Sequence, residues 1–263
     1  MAPVYKAGDT ADMTRVLITG ATAGIGAEFA RQFAERGDDL VLVARNVERL
    51  EQFADEIRTR SRVAVEVLPA DLADREQCAL VEERLSGQQP IDILVNNAGF
   101  GLTQPFVGGD VEDEQKLLDV MVTAVMRLTH AALPGMVSRG RGGVINNSSV
   151  ASFIAGGTYS AAKAWVRVFS ESLHGPMAAK GVTVMALCPG YTHTEFHERA
   201  GINKSRVQDW LWLDSPMVVR ESIRDFNRGK AVSIPSGQYK VLSAAATYLP
   251  RPLVRRVGLA SQK

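Results

Sequence analysis

The chain has 263 residues, of which 46% are hydrophobic, and its 30 basic and 29 acidic side chains leave a formal charge of +1. This composition predicts a single globular domain with a sizeable core, and the balanced charge argues against nucleic acid as a partner. Cys78 falls in a predicted helix and Cys188 at a strand end, and two such isolated cysteines favour reduced thiols over a disulfide framework.

Residues 1–13 are predicted to be a flexible leader, because they contain no continuous apolar stretch of the kind that a signal peptide needs. No later apolar run reaches the roughly 18 residues of a membrane-spanning helix. We therefore expect a cytoplasmic protein with no integral membrane segment, whose single domain covers residues 14–263.

Seven short apolar runs alternate with helical patterns along the chain. They show little period-2 signal, as expected for parallel strands covered on both faces. The predicted strands are residues 15–19, 39–43, 63–67, 91–95, 143–147, 182–187 and 231–234. Predicted helices cover residues 25–36, 46–60, 74–86, 112–138 and 158–180. The pattern indicates an α/β fold, a doubly wound seven-stranded parallel sheet with helices on both faces.

A glycine-rich turn, Thr19-Gly-Ala-Thr-Ala-Gly-Ile-Gly26, lies where the first strand ends and the first helix begins. Backbone N–H groups and the helix dipole there would bind a pyrophosphate, and glycines allow a ligand to approach the backbone closely. The spacing differs from the common G-x-G-x-x-G, and an ordinary tight turn is the alternative. The position between a strand and a helix favours a dinucleotide site in a Rossmann-type sheet.

The second strand is followed by Arg45, where an NAD-binding protein usually places a carboxylate for the ribose hydroxyls. A guanidinium at this position binds a 2'-phosphate through charge-assisted hydrogen bonds, and no carboxylate is there to repel that group. Arg45 therefore predicts NADP(H) as the cofactor. The alternative is a solvated charge at the start of a helix.

Tyr159 and Lys163 lie four residues apart in a predicted helix, after the serine pair Ser148-Ser149. Positions i and i+4 share a helix face, so the ammonium group would lie beside the phenol and lower its pKa from about 10. Alone, such a pair is weak evidence, because this spacing arises often by chance. Combined with the glycine turn and Arg45, it predicts a nicotinamide-dependent oxidoreductase.

Residues 192–227 interrupt the alternation and are predicted to form a substrate lid within the single domain. The apolar side chains of this lid and of the segment after the serines are Phe196, Trp210, Leu211, Trp212, Leu213, Phe153 and Ile154. An apolar pocket suits a hydrophobic ketone better than a sugar, unless these side chains pack against the body of the protein or a second subunit. His193 and His197 lack a convincing third ligand, so we expect no metal site.

Five motifs occur in order: TGxxxGIG at residues 19–26, Asn96-Asn-Ala-Gly99, the serine pair, Tyr159-x-x-x-Lys163 and Pro189-Gly-Tyr-Thr-His-Thr194. In this combination the chain resembles the short-chain dehydrogenase/reductase family over nearly its whole length. It is most similar to a bacterial subgroup related to long-chain 3-oxoacyl and hydroxysteroid reductases. Leu133-Pro-Gly-Met136, the run Phe169-Ser-Glu-Ser-Leu173 and the carboxyl-terminal tail carry that closer likeness.

The resemblance implies roles for individual positions. Ser149 would hydrogen-bond the substrate carbonyl, Tyr159 would donate or accept the proton, and Lys163 would bind the nicotinamide ribose and lower the tyrosine pKa. The reaction would be reversible hydride transfer between NADP(H) and a carbonyl, with reduction of a hydrophobic ketone or 3-oxoacyl-type substrate preferred.

The resemblance also implies a set of cofactor contacts at the carboxyl ends of the strands. Asp71 and Leu72 would contact the adenine, and Thr194 the carboxamide. The full set is Thr19, Gly20, Thr22, Gly24, Ile25, Gly26, Arg45, Asp71, Leu72, Asn97, Ala98, Gly99, Tyr159, Lys163, Pro189, Gly190, Thr192 and Thr194. The long helices 112–138 and 158–180 resemble those of the family's oligomer interface and imply a homodimer or homotetramer; their apolar faces are also compatible with core packing.

Two features depart from the family pattern. Met121 stands where the family usually carries an asparagine associated with a water-mediated proton relay, and a thioether is a poor acceptor that donates nothing. Either a water held by backbone groups carries the relay, or the proton path is impaired. The segment from Ser149 to Tyr159 is also a few residues short, which leaves Ser148 as a second candidate for the substrate-polarising hydroxyl.

Met121 therefore prompts a second hypothesis, a catalytically impaired NADP-binding scaffold or redox sensor. The complete serine, tyrosine and lysine set argues against it, because a site without activity has no physical need for all three. A third hypothesis, dehydration or epimerisation, would require additional substrate-domain length that the chain lacks.

Overall fold

Seven parallel strands form the centre of the fold. The computed structural model describes residues 14–196, 207–250, 252, 254 and 255. The strands are β1 (Arg15–Thr19), β2 (Asp39–Ala44), β3 (Val65–Pro69), β4 (Ile93–Asn96), β5 (Gly142–Asn147), β6 (Val182–Leu187) and β7 (Val232–Ser233). Within the described residues they pair in the order β3-β2-β1-β4-β5-β6-β7. The predicted parallel, doubly wound sheet is confirmed, although β3 begins two residues later than predicted and β7 is shorter.

Helices cover both faces of the sheet. They are α1 (Gly24–Glu35), α2 (Val47–Arg60), α3 (Arg75–Ser86), α4 (Val111–Leu118), α5 (Ala124–Arg139), α6 (Gly157–Ala178), α7 (Ser215–Asn227) and α8 (Gly237–Tyr248). On one face α1, α2 and α7 pack around Phe29, Phe33 and Phe226. On the other, α3, α5 and α6 pack around Leu94, Leu128 and Val144. Each face of the sheet thus supports its own apolar core, as expected for parallel strands with little period-2 pattern.

The helix termini differ in how they are capped. Asn46, Asp74 and Asp110 accept hydrogen bonds from backbone N–H groups in the first turns of α2, α3 and α4, which explains where these helices begin. In contrast, α1 follows Ala23, which provides no side-chain cap, and its first turn contains no acidic residue. The positive end of the α1 dipole therefore remains available to an anionic ligand.

A π-helical turn, Asp119–Thr123, joins α4 to α5, so that the chain is helical from Val111 to Arg139. Over 18 residues this helix reaches a mean hydropathy of 1.4, enough by length and composition to cross a membrane. In this fold 44% of that window is buried, and the side chains of Leu117, Leu128 and Met136 lie inside the protein. One such helix is weak evidence for a membrane span.

The strand order reverses at β1, which pairs with β2 on one side and with β4 on the other. In open parallel sheets, ligands bind beyond the carboxyl ends of the strands at such a switch point. Thr19 and Asn96 end the two central strands there. The topology therefore brings the predicted site residues, which follow different strands in the sequence, to one edge of the sheet.

Candidate active site

The glycine turn between β1 and α1 is packed so tightly that Gly20 and Gly26 have no room for a Cβ. Gly20 has a left-handed φ of 64°, and a Cβ there would lie 2.9 Å from the Cα of Ala98. A Cβ on Gly26 would overlap the carbonyl oxygen of Gly20. These glycines bring the backbone of the turn close to the residues after β4, beside the uncapped end of α1. This cradle fits the pyrophosphate of a dinucleotide.

Thr19 and Asn97 hold the glycine turn in place through hydrogen bonds. The Thr19 hydroxyl accepts hydrogen bonds from the backbone N–H groups of Asn97 at 2.9 Å and Ala98 at 3.0 Å. The Asn97 side-chain amide donates to the carbonyl oxygens of Thr19 at 3.1 Å and Gly20 at 3.3 Å. Both side chains thus shape the cradle, and the amide of Asn97 is directed at the turn.

Arg45 and Asp71 mark the end of the site beyond β2 and β3. The Arg45 side chain is 64% exposed, and its guanidinium lies 4.0 Å from the Asp71 carboxylate. Asp71 also accepts a hydrogen bond from the N–H of Ala73, and Leu72 is buried beside it. A long, exposed ion pair holds its cation weakly, so the guanidinium is accessible to a phosphate.

The Ser149 hydroxyl lies beside the Tyr159 phenol, where it acts to lower the pKa of the phenol. The one-turn 3-10 helix Val150–Phe153 spans much of the short segment between them, and Ser149 caps it by accepting the Ala151 N–H at 3.1 Å. Ser148 is buried and donates to the carbonyl oxygen of Lys163 at 2.7 Å. The geometry therefore places the hydroxyl of Ser149, and not that of Ser148, beside the phenol.

Lys163 is buried beneath the tyrosine. Its Nζ lies 5.8 Å from the centre of the Tyr159 ring and donates to the carbonyl oxygen of Asn147 at 2.7 Å. Burial lowers the lysine pKa to about 8, against a raising effect of Cys188. Burial also raises the pKa of Tyr159 to about 12, although the Ser149 hydroxyl opposes this. The net shift of the tyrosine pKa is thus opposite to the predicted one, because desolvation is the larger effect.

Met121 lies in the π-helical turn and is only 1% exposed. Its position is shown by Gly99, where a Cβ would be 3.2 Å from the Met121 sulfur and 3.7 Å from Lys163 Nζ. The thioether therefore lies on the inner side of the site, near the lysine ammonium. A π-turn shifts backbone groups out of the regular helical pattern, and such turns occur often at functional sites.

The lid contributes less to the site than its composition suggested. The Phe196 ring lies 5.9 Å from the Tyr159 ring, whereas Leu213 is buried in the body of the protein. Trp212 stacks on His193 with 4.8 Å between ring centres, and Trp210 is 56% exposed. The predicted lid was also too long, because α7 packs against α1 and the core. His197 lies outside the described residues.

Two connections at the lid were not predicted. The first is a bidentate ion pair in which the Arg49 guanidinium donates to the Glu195 carboxylate at 3.1 and 2.5 Å. It connects the first turns of α2 to the lid and raises the pKa of Arg49 through the hydrogen bond. The second connection is made by Tyr239 of α8, whose hydroxyl is hydrogen-bonded to the N–H of Tyr191 before the lid and to the carbonyl oxygen of Leu211 within it. No local pattern in the sequence signals either partner.

Asn147 was also missed as a site residue. Its carbonyl oxygen accepts a hydrogen bond from the Lys163 ammonium, and its side-chain amide donates one to Asn97 Oδ1 at 2.9 Å. It connects the lysine to the residues that shape the glycine turn. The available signal was its position at the carboxyl end of β5, directly before the serine pair.

The remaining predicted cofactor residues lie around the same edge. Thr22 is in the glycine turn, and Ile25 packs on both the core and the lid. Pro189 and Thr192 are buried. A Cβ on Gly24 would lie 3.0 Å from Cβ of Thr194. The fold thus brings together the predicted residues from six strand ends.

Across the part of the chain that the structure describes, no group of three or more His, Cys, Asp or Glu side chains is arranged to hold a metal.

Comparison with known proteins points to one family. The profile described as short chain dehydrogenase matches residues 14–204. A very-long-chain 3-oxoacyl-CoA reductase from Anas platyrhynchos is 36% identical over 187 residues, which make up 68% of this chain and 60% of that protein. The match therefore spans less than two thirds of this relative.

Two solved structures match nearly end to end. A short-chain dehydrogenase from Sphingobium yanoikuyae in complex with NADPH aligns with a TM-score of 0.82 at 37% identity, over 95% of this chain and 96% of that one. A bulky-bulky ketone specific alcohol dehydrogenase from Comamonas testosteroni aligns with a TM-score of 0.78 at 32% identity, over 95% of both chains.

Proposed function

The chain belongs to the short-chain dehydrogenase family, and on this premise we propose that it is an NADPH-dependent reductase of hydrophobic ketones with Tyr159 as proton donor. The observation that carries the proposal is the arrangement of Ser149, Tyr159 and Lys163, in which a serine hydroxyl and a buried ammonium flank one phenol. Family membership supports an oxidoreductase acting on carbonyl and alcohol groups.

Each side chain has a defined task in this proposal. NADPH, when bound, supplies the hydride. The Ser149 hydroxyl hydrogen-bonds the carbonyl oxygen of the substrate and stabilises the charge that develops there. Tyr159 donates its proton to that oxygen, and the Lys163 ammonium stabilises the phenolate that remains. A pKa of about 12 keeps the phenol protonated at neutral pH, which is the form that a proton donor requires.

The proton must then return to Tyr159. Lys163 is the nearest ionisable donor, and its ammonium is hydrogen-bonded to the carbonyl oxygen of Asn147. Because the thioether of Met121 cannot relay a proton, we assign the return path to backbone-held water around Lys163.

The preference for NADP(H) over NAD(H) rests on Arg45. Its exposed guanidinium lies beyond β2, where a 2'-phosphate would be bound, and its ion pair with Asp71 is long enough to be replaced. The complex of the Sphingobium relative with NADPH supports the same choice.

The substrate class rests on the surroundings of the phenol. The Phe196 ring covers Tyr159, and Ile154 is partly buried close by in the sequence. Such walls favour an apolar acceptor. The names of the relatives, a bulky-bulky ketone alcohol dehydrogenase and a 3-oxoacyl-CoA reductase, are consistent with a hydrophobic ketone or 3-oxoacyl thioester.

Self-association forms part of the proposal. On the outer face of α6, Trp165 and Phe169 stack with 4.6 Å between ring centres, and Val168 beside them is 54% exposed. Covering this apolar face with a second copy would remove it from water. Sedimentation of the purified protein as a dimer or tetramer would agree with this, and we expect that assembly in the cytoplasm.

The test compares wild type with Tyr159→Phe for NADPH oxidation, using a panel of bulky ketones and 3-oxoacyl thioesters. Loss of a general acid lowers kcat by about 10²- to 10⁴-fold. We expect turnover to fall in this range, while NADPH binding, measured by fluorescence titration, is unchanged. Equal activity in the two proteins would refute the role of Tyr159.

A second candidate function is a non-catalytic NADP-binding protein, favoured by the burial of Met121 beside Lys163. Met121→Asn would restore a side chain able to relay protons, with Met121→Leu as the apolar control. This candidate would be favoured if the wild-type protein binds NADPH without turnover and only Met121→Asn turns over a substrate. Turnover by wild type would exclude it.

A further inference from the structure

The lid base consists of residues 190–194 and 211–213, two segments that are hydrogen-bonded to each other. Leu213 donates its N–H to the carbonyl oxygen of Tyr191 at 2.8 Å, and His193 donates to the carbonyl oxygen of Leu213 at 2.9 Å. Thr192 and Leu213 form a bridge between them. The first of these two segments carries Gly190, Thr192 and Thr194, so its position determines where those proposed cofactor contacts lie.

A single phenol from α8 connects the same two segments. The Tyr239 hydroxyl accepts a hydrogen bond from the Tyr191 N–H at 3.0 Å and donates one to the carbonyl oxygen of Leu211 at 2.7 Å. Only 3% of Tyr239 is exposed. Burial raises its pKa to about 12, so the hydroxyl keeps its proton and can donate throughout the neutral range.

The ring of Tyr239 constrains the lid base as well. It packs so closely on Gly190 that a Cβ there would overlap the ring. The phenol therefore fixes the Gly190 backbone by contact and the next residue by a hydrogen bond. Thr194 lies four residues further on, against Gly24 of the glycine turn.

The first turn of α8 is itself held in place. Ser236 adopts a left-handed φ of 73°, accepts a hydrogen bond from the Tyr239 N–H and donates its own N–H to Glu221 at 3.3 Å. Gln238 donates to the carbonyl oxygen of Trp210 at 2.8 Å. A strained serine at this point persists because surrounding contacts hold it, and it directs Tyr239 at the lid base.

We propose that Tyr239 is a positioning residue, which holds residues 190–194 against the glycine turn and thereby sets the affinity for the cofactor. This inference rests on the proposed function, because the cofactor contacts of Gly190, Thr192 and Thr194 belong to it. Tyr239 acts through the lid base and does not touch the reacting atoms.

The test is Tyr239→Phe, which removes the hydroxyl and keeps the ring against Gly190. Tyr248→Phe, on the same helix and 87% exposed, is the matched control. We expect the dissociation constant for NADPH to rise about five- to tenfold in Tyr239→Phe and to stay unchanged in the control. The KM for NADPH should rise with it, while kcat at saturating NADPH changes less than twofold as an order-of-magnitude expectation.

Hydrogen exchange provides a readout that does not depend on the proposed function. Without its acceptor the Tyr191 amide should exchange about tenfold faster in Tyr239→Phe, whereas amides of β1 and β4 keep wild-type rates. Unchanged exchange at residues 190–194 together with an unchanged NADPH constant would overturn the positioning role. If the Tyr191 amide exchanges faster in Tyr239→Phe but the wild-type protein binds no NADPH, the role of Tyr239 in holding the lid base is confirmed and the proposed function is refuted.

Discussion

The glycine turn and the lid base meet at the proposed cofactor site, and different kinds of contact hold them there. In the turn, backbone packs on backbone, since Gly20 lies against Ala98 and Gly26 against the carbonyl of Gly20. In the lid base and the adjoining Glu195, distant side chains hold the backbone in place, through the phenol of Tyr239 and the pair of Arg49 with Glu195.

This difference determines which substitutions each region tolerates. A backbone contact fails as soon as one atom is added, because neither partner can move away. A side-chain contact fails when one atom is removed, and the chain then shifts by a small amount. We therefore expect abrupt losses in the turn and graded losses in the lid base.

The largest expected effect is that of Gly26→Ala in the turn. Its Cβ would overlap a backbone oxygen, which we expect to cost at least about 3 kcal/mol of unfolding free energy and to abolish NADPH binding. Gly175→Ala is the control, because a Cβ there meets nothing within 4 Å and alanine favours the helix. Urea unfolding and fluorescence titration measure the two effects. Wild-type stability in Gly26→Ala would contradict the tight packing.

Arg45→Ala tests the adenosine end, which neither region holds directly. Loss of charge-assisted hydrogen bonds should raise the NADPH dissociation constant by about 10- to 100-fold and leave that for NADH unchanged. Arg60→Ala, on α2 and 70% exposed at its side chain, is the matched control. Equal weakening of both cofactors would show that Arg45 does not recognise the 2'-phosphate.

The pH dependence of reduction tests the residues between the two regions. The Lys163 ammonium, with its pKa lowered to about 8 by burial, is charged below that pH and neutral above it. Tyr159 keeps its proton to about pH 12, so it does not limit the alkaline side. We expect kcat/KM to be level below pH 7 and to fall by about tenfold per unit above 8. A level profile to pH 10 would remove Lys163 from the mechanism.

The smallest effect is expected for the ion pair at the lid. Arg49→Ala should weaken NADPH binding by about two- to fivefold, because partly exposed pairs contribute less than about 1 kcal/mol. Raising the salt concentration should reduce the difference from wild type. Arg58→Ala removes a pair with Asp55 on the same helix and should have no effect. A loss as large as that of Arg45→Ala would mean that Arg49 binds the cofactor itself.

The fold was predictable because buried parallel strands leave apolar runs in the sequence. Even there, β3 was placed two residues early, since apolar Val63 lies outside the strand that begins at Val65. The π-turn at residues 119–123 was not predicted, because no residue type marks an extra residue in a helical turn.

The site was predictable where a motif is local, as with the glycines and with Tyr159 and Lys163. The roles of Tyr239 and Asn147 were not, because their partners lie far away in the sequence or are backbone atoms. The direction of the tyrosine pKa was missed for a related reason, since helix spacing indicates a neighbouring charge and says nothing of the burial that outweighs it.

The order of the strands in the sheet determines when each strand pair can form during synthesis. Val16 pairs with Leu40 on one side and with Ile93 on the other, so one edge of β1 stays open on the ribosome until β4 has emerged. At translation speeds of about 5–20 residues per second, synthesis from the end of β1 to the end of β4 takes about 4–15 seconds. Tyr239 leaves the ribosome long after the glycine turn. The nascent chain can therefore form its glycine turn well before the residue that anchors the lid base has been made.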